Sequence, residues 1–141
     1  MSEQYLHKIL VAVKENFNKE AFLSAMHPMS GKVHLVFYHV VELPLTSPMY
    51  RDLVEPVLDE RMKRFEGLVK WAERQGFKAS LKVVPARDAT SSIIEETYRE
   101  SYTLIVVQRV KKGLSEKLHL GLSEKLIHSL KLPILILPPI E

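Results

Sequence analysis

The sequence predicts an α/β protein of Rossmann-like type, a doubly wound, mostly parallel five-stranded sheet with helices on both faces. Three observations predict it. Short apolar, β-branched runs alternate with helical patterns along the chain. The second of these runs, Lys32 to Glu42, is apolar at both odd and even positions, as a strand covered on both faces must be. No hairpin turn joins any two runs, so successive strands pair in parallel through right-handed crossovers.

His7 to Val13 is the first strand, broken by the polar, turn-prone Lys14-Glu15-Asn16-Phe17-Asn18. Asn18 caps a short helix through Met26 that carries Phe22, Leu23 and Met26 on one face, and Pro28 and Gly31 stop it. Lys32 to Glu42 follows as a central strand. Leu43 to Tyr50 holds Pro44 and Pro48 and is a loop. The long helical pattern beyond it runs to Gln75 and ends at Gly76, with Val54, Leu58, Met62, Phe65, Val69 and Ala72 as its buried stripe. Trp71, near the end of that helix, is a packing residue. Phe77 to Val84 is the third strand, Pro85 to Ala89 a connecting loop, and Asp88 or Thr90 caps a helix carrying Ile93, Ile94, Thr97 and Tyr98. Thr103 to Val107 is the fourth strand and Leu122 to Leu130 the final helix. Pro133 to Leu137 is the fifth strand, assigned to a sheet edge by its prolines. The segment Gly113-Leu-Ser-Glu-Lys-Leu recurs eight residues later from Gly121. Leu114, Leu118, Leu122, Leu126 and Leu130 would drift about 160° around one straight helix, so a break is expected near Gly121.

A chain of 141 residues suits one domain spanning 1–141. The absence of cysteine removes disulfides, thiolate nucleophiles and cysteine-ligated zinc together. The N-terminal residues before Ile9 do not resemble a signal peptide or a membrane span, and the expectation is a cytoplasmic protein without a membrane partner. A net charge of +3, with both signs dispersed, is too small for a dedicated nucleic-acid binder. Asn and Gln together number five, a composition that hints at a heat-adapted source.

The runs Lys8-Ile-Leu-Val-Ala-Val13, Val33 to Val41, Leu104-Ile-Val-Val107 and Pro133-Ile-Leu-Ile-Leu137, in that placement, resemble the universal stress protein family across nearly the whole chain. The resemblance implies strand order 3-2-1-4-5, a ligand crevice at the switch between strands one and four, and a homodimer. ATP-binding members carry G-x2-G-x9-G-[ST] after the fourth strand, where residues without side chains let backbone N–H groups approach phosphate. Here those positions read Gln108, Lys111, Gly121 and Leu122, with Ser123 one residue out of register. Lys14 stands where the family has an acid after Val13, and Pro85, Ala86, Arg87 and Asp88 follow Val84 at the end of the third strand. These departures argue against ATP binding in the family's usual manner.

Lys14, Arg87, Arg109, Lys111 and Lys112 are candidates for a crevice that takes a polyanion or an acidic partner. The favoured alternative is a solvated rim balanced by Glu15, Asp88 and Glu116. Among six histidines no pair has the helical spacing of zinc hydrolases, so no metal is expected. His34 and His39 lie on opposite faces of one strand and are expected to be satisfied or partly buried. His7, His27, His119 and His128 are isolated. Ser115 and Ser123 read as helix starts rather than nucleophiles, and Asp59, Glu60, Glu95 and Glu96 as solvent-facing acids. Tyr5, Tyr50, Tyr98 and Tyr102 lack the basic interleaving of nucleic-acid stacking platforms. The expected function is a non-enzymatic regulatory or stress-response module, with no cofactor. It dimerises through the apolar edge Ile134, Leu135, Ile136 and Leu137. The alternatives are an ATP- or AMP-binding member with an altered loop, and an enzyme on the same fold.

Overall fold

A computed structural model describes residues 6–46, 48–109 and 128–140. The strands are β1 (His7–Ala12), β2 (Val33–Glu42), β3 (Lys78–Ala86), β4 (Leu104–Gln108) and β5 (Ile134–Leu137). The helices are α1 (Lys19–Met26), α2 (Arg51–Arg74) and α3 (Ala89–Arg99), with a 3-10 turn at His27–Lys32. The helix expected over Leu122–Leu130 lies outside the described residues up to Ile127, as do both copies of the repeat. The sheet order is β3-β2-β1-β4-β5 and every pair is parallel. β5 lies at an edge, as expected.

The two-residue period of the strands sorts the core into two layers. Ile9, Val11, Leu35, Phe37 and Val106 face α1 and α2, where Phe22, Met26, Phe65, Trp71 and Ala72 meet them. Leu10, Ala12, Val36, Tyr38, Ile105 and Val107 face the opposite way, against Ile93 of α3 and Tyr102. β2 is therefore covered on both sides, which is why it is apolar at nearly every position. Trp71 packs as expected, edge-on to Phe17 with ring centroids 5.9 Å apart.

Local chemistry sets the helix ends. Asn18 accepts from the Ala21 N–H at 3.0 Å, and Asp88 accepts from the Ser91 N–H at 3.0 Å. At the end of α2, Gly76 takes φ +96°. Its N–H bonds the Glu73 carbonyl and the Phe77 N–H bonds the Ala72 carbonyl, both at 3.0 Å. That pair of bonds is a Schellman stop, with the buried Phe77 and Ala72 in one core cluster beneath it.

Two expectations are corrected. β3 does not stop at Val84 but runs through Pro85 and Ala86, opposite Val41 and Glu42. An edge strand can carry proline because one side of its backbone pairs with nothing in the sheet. Met62 is 41% exposed rather than part of the buried stripe. It sits about 60° around α2 from Phe65, whereas Trp71, on the opposite flank, is buried because Phe17 and Phe22 cover that side. Tyr98 is 65% exposed, lying about 140° around α3 from the buried Ile93.

Candidate functional site

The switch between β1 and β4 brings together the C-terminal ends of both strands, and with them Val13, Lys14, Gln108 and Arg109. Val13 is buried and continues the ladder, its N–H donating to the Tyr38 carbonyl at 3.0 Å. The Val13 carbonyl accepts from His39 Nδ1 at 2.9 Å. Lys14 and Arg109 are exposed, and the Arg109 N–H is held by the Leu137 carbonyl at 3.0 Å.

Gln108 is the hub of this end of the sheet. Its Oε1 accepts from the Asn18 N–H at 2.8 Å, while Nε2 donates to the Arg109 and Pro138 carbonyls at 2.9 and 2.8 Å. Asn18 Nδ2 donates to the same Pro138 carbonyl at 3.0 Å. One carboxamide thus ties the start of α1, the exit of β4 and the exit of β5. The sequence singles out Gln108 only as a residue replacing glycine, and no local pattern links it to Asn18, whose separation in the chain is 90 residues.

Val84 and Arg87 are placed elsewhere. β3 lies two strands from β1, roughly 10 Å across the sheet, and these residues line a separate cleft beside α3. That open cleft, about 420 Å³, is walled by Tyr38, Ser91, Ser92, Glu95 and Arg99 as well. The Arg87 guanidinium bonds the Pro44 carbonyl. Lys111, Lys112, Gly121, Leu122 and Ser123 lie outside the described residues, as do Ser115, Glu116 and His119.

His39 is 2% exposed and bonded at both ring nitrogens, to Val13 and to the Arg61 guanidinium at 2.9 Å. His34, on the other face of β2, pairs with Ser80 Oγ at 3.1 Å. Both expectations for these histidines hold. Burial lowers the pKa of each ring; at His34, Lys78 and Lys8 lower it further, and at His39, Arg61 does the same, against the Val13 bond.

The expectation for Glu96 is overturned: it is 0% exposed, while Glu95 does face solvent. Tyr102 donates to Glu96 Oε2 at 2.6 Å and Lys82 Nζ donates at 2.7 Å, with Arg99 at 3.4 Å on the other oxygen. Lys82 also bonds Glu100, which in turn holds Lys8. Bonds to Lys8 and then Lys82 lower the Glu100 pKa to about 2. Burial, and then the Glu96 bond, raise the Tyr102 phenol. Burial alone would lower the Lys82 ammonium, but Glu100 and Glu96 hold it above its usual value. The position was legible, since Glu96 is three residues after the inward Ile93 and Lys82 belongs to a polar row with Lys78 and Ser80 on β3.

Among the described residues no helix is long and apolar enough to cross a membrane, and no three His, Asp or Glu residues converge as metal ligands. The fold and the crevice define a doubly wound α/β protein with its candidate site at the topological switch point. No family model and no curated protein matches the sequence. Solved structures do match. A universal stress protein-family protein from Burkholderia pseudomallei is 19% identical, with TM-score 0.63, covering 94% of this chain and 96% of that one. One from Arabidopsis thaliana with AMP bound is 18% identical, with TM-score 0.65 and coverage of 95% and 92%. One from Archaeoglobus fulgidus in complex with dAMP is 12% identical, with TM-score 0.63 and coverage of 95% and 99%. The chain has the universal stress protein fold over nearly its full length.

Proposed function

We propose that this chain is a cytoplasmic universal stress protein-like regulatory module, dimeric and not an enzyme, whose crevice does not take ATP in the family's usual manner. The observation that carries the reading is Gln108. Its carboxamide spends its acceptor and both its donors on Asn18, Arg109 and Pro138, at the first glycine position of the phosphate loop. A phosphate approaching there meets a side chain rather than open backbone N–H groups. Lys14 and Arg109 attract anions by charge alone, which physiological salt screens and which carries no adenine specificity. Calorimetry in about 150 mM salt should therefore give dissociation constants of roughly millimolar or weaker, similar for ATP, GTP and pyrophosphate. Micromolar, adenine-selective binding that is lost in Gly121→Val would overturn this reading. It would instead support the alternative, an adenine-nucleotide binder with an altered loop; the Arabidopsis and Archaeoglobus proteins hold AMP and dAMP.

The dimer is supported by β5. Among the described residues it pairs with β4 alone, and Ile136 is 42% exposed on that edge. An apolar edge strand with unpaired backbone groups invites a second copy. Sedimentation equilibrium at micromolar concentration should show a dimer that Ile136→Lys converts to monomer. A wild-type monomer, unchanged by the substitution, would remove the idea.

A further inference from the structure

His39 is a buried titratable group that the proposed function leaves unused. It stands on β2 between the end of β1 and α2, its ring against Phe65 with centroids 4.5 Å apart. Arg61 is a donor only, so Nε2 facing it must be the bare acceptor and Nδ1 must carry the proton given to Val13. A second proton changes the two sides unequally. The Val13 bond survives, because Nδ1 still donates. The Arg61 bond does not, because two donors and two positive charges then face each other.

We infer that His39 is an acid-sensitive latch that holds the first half of α2 to the sheet near neutral pH and releases it on protonation, while β1 and β2 stay joined. α2 presents Arg61, Arg64 and Glu60 to the ring, and Glu60 is already bonded by both arginines, at 3.3 and 2.8 Å. Among the described residues, the chain just past β1 presents the Val13 carbonyl, and the β3 residue in register, Val83, is uncharged. Between Arg51 and Arg64 the helix buries only Val54, and Pro56 withholds one N–H from its ladder. Val57 and Leu58 are only half-buried there. Burial and then Arg61 favour the neutral ring, against the Val13 bond, so the folded pKa lies below 6.5. The latch is closed above that value and its contribution is lost as pH falls below it.

Amide hydrogen exchange read by mass spectrometry tests this on the intact chain. Corrected for intrinsic chemistry, protection over Arg51–Arg64 should fall roughly tenfold between about pH 7.5 and about pH 5, with β1 unchanged. His34→Gln should behave as wild type. His39→Gln should lose the pH response, and Arg61→Met should exchange fast at both pH values, with a ratio near one. Equal wild-type protection at the two pH values, or a full response retained in His39→Gln, overturns the proposal. Should His39→Gln fail to fold, a full response retained in Arg61→Met overturns it equally.

Discussion

Replacing Phe22 with alanine should lower stability by about 3–5 kcal/mol, measured by urea unfolding at neutral pH. Phe22 is fully buried where α1 meets both α2 and the sheet. Its ring lies 5.3 Å from Phe17, 6.3 Å from Trp71 and 5.6 Å from Phe77, all in tilted or edge-on geometry. Truncation removes three aromatic contacts, each worth about 0.5–1.5 kcal/mol beyond area, and leaves a cavity that rigid neighbours cannot fill. The aromatic rings come from two distant stretches of the chain, 17–22 and 71–77, so no single local shift closes the gap. Phe22→Leu keeps much of the volume and should lose clearly less. A loss under about 1 kcal/mol for the alanine variant would show that α1 is not fastened through this ring.

The strands were legible because burial on both faces leaves a mark that a short window carries. Val33 to Val41 could be little else than a central strand, and the observed β2 pairs on both sides. Helix boundaries were legible where a single residue does the stopping or capping, as with Asn18, Asp88 and Gly76. Less legible was the inward face of α2. The apolar stripe alone placed Met62 inside, yet which flank is covered depends on α1, a tertiary fact that covers Trp71, as expected, and leaves Met62 out. Pro85 misled for a related reason, since proline argues against a strand only when both edges pair.

The crevice was half legible. Val13, Lys14, Gln108 and Arg109 converge because chain order and parallel pairing force the ends of β1 and β4 together. Arg87 was grouped with them by its charge and its place after a strand. Its distance follows from strand order instead, because β3 is at the far edge. Charge was the poorer guide in the interior too. Glu96 was assigned to solvent as an acid among charged neighbours, although helical spacing from Ile93 turned it inward.

Removing the Glu96 carboxylate should therefore be as damaging as opening the aromatic core. Glu96→Ala leaves the Tyr102 hydroxyl unpartnered in a buried site and takes one of the two carboxylates from Lys82. It deletes two charge-assisted hydrogen bonds, each worth about 1.5–3 kcal/mol, while Lys82, 35% exposed, keeps Glu100, so a loss of about 3–5 kcal/mol is expected, a large share of the stability of an ordinary domain. Glu96→Gln should lose less, about 1–3 kcal/mol, since a carboxamide oxygen still accepts from Tyr102. Removing both ends with apolar groups, Glu96→Leu with Tyr102→Phe, should recover part of the loss, because no buried hydroxyl is then left unsatisfied. Glu100 gives the network its pH dependence. Its pKa falls from 4.5 to about 2 when folded, so its contribution is complete above 4.5 and disappears as pH falls toward 2. Urea titrations of the wild type and Glu100→Gln should thus converge in acid and differ near neutrality. A Glu96→Ala variant as stable as wild type, or a double variant no better than the single, would show that the buried carboxylate is a bystander.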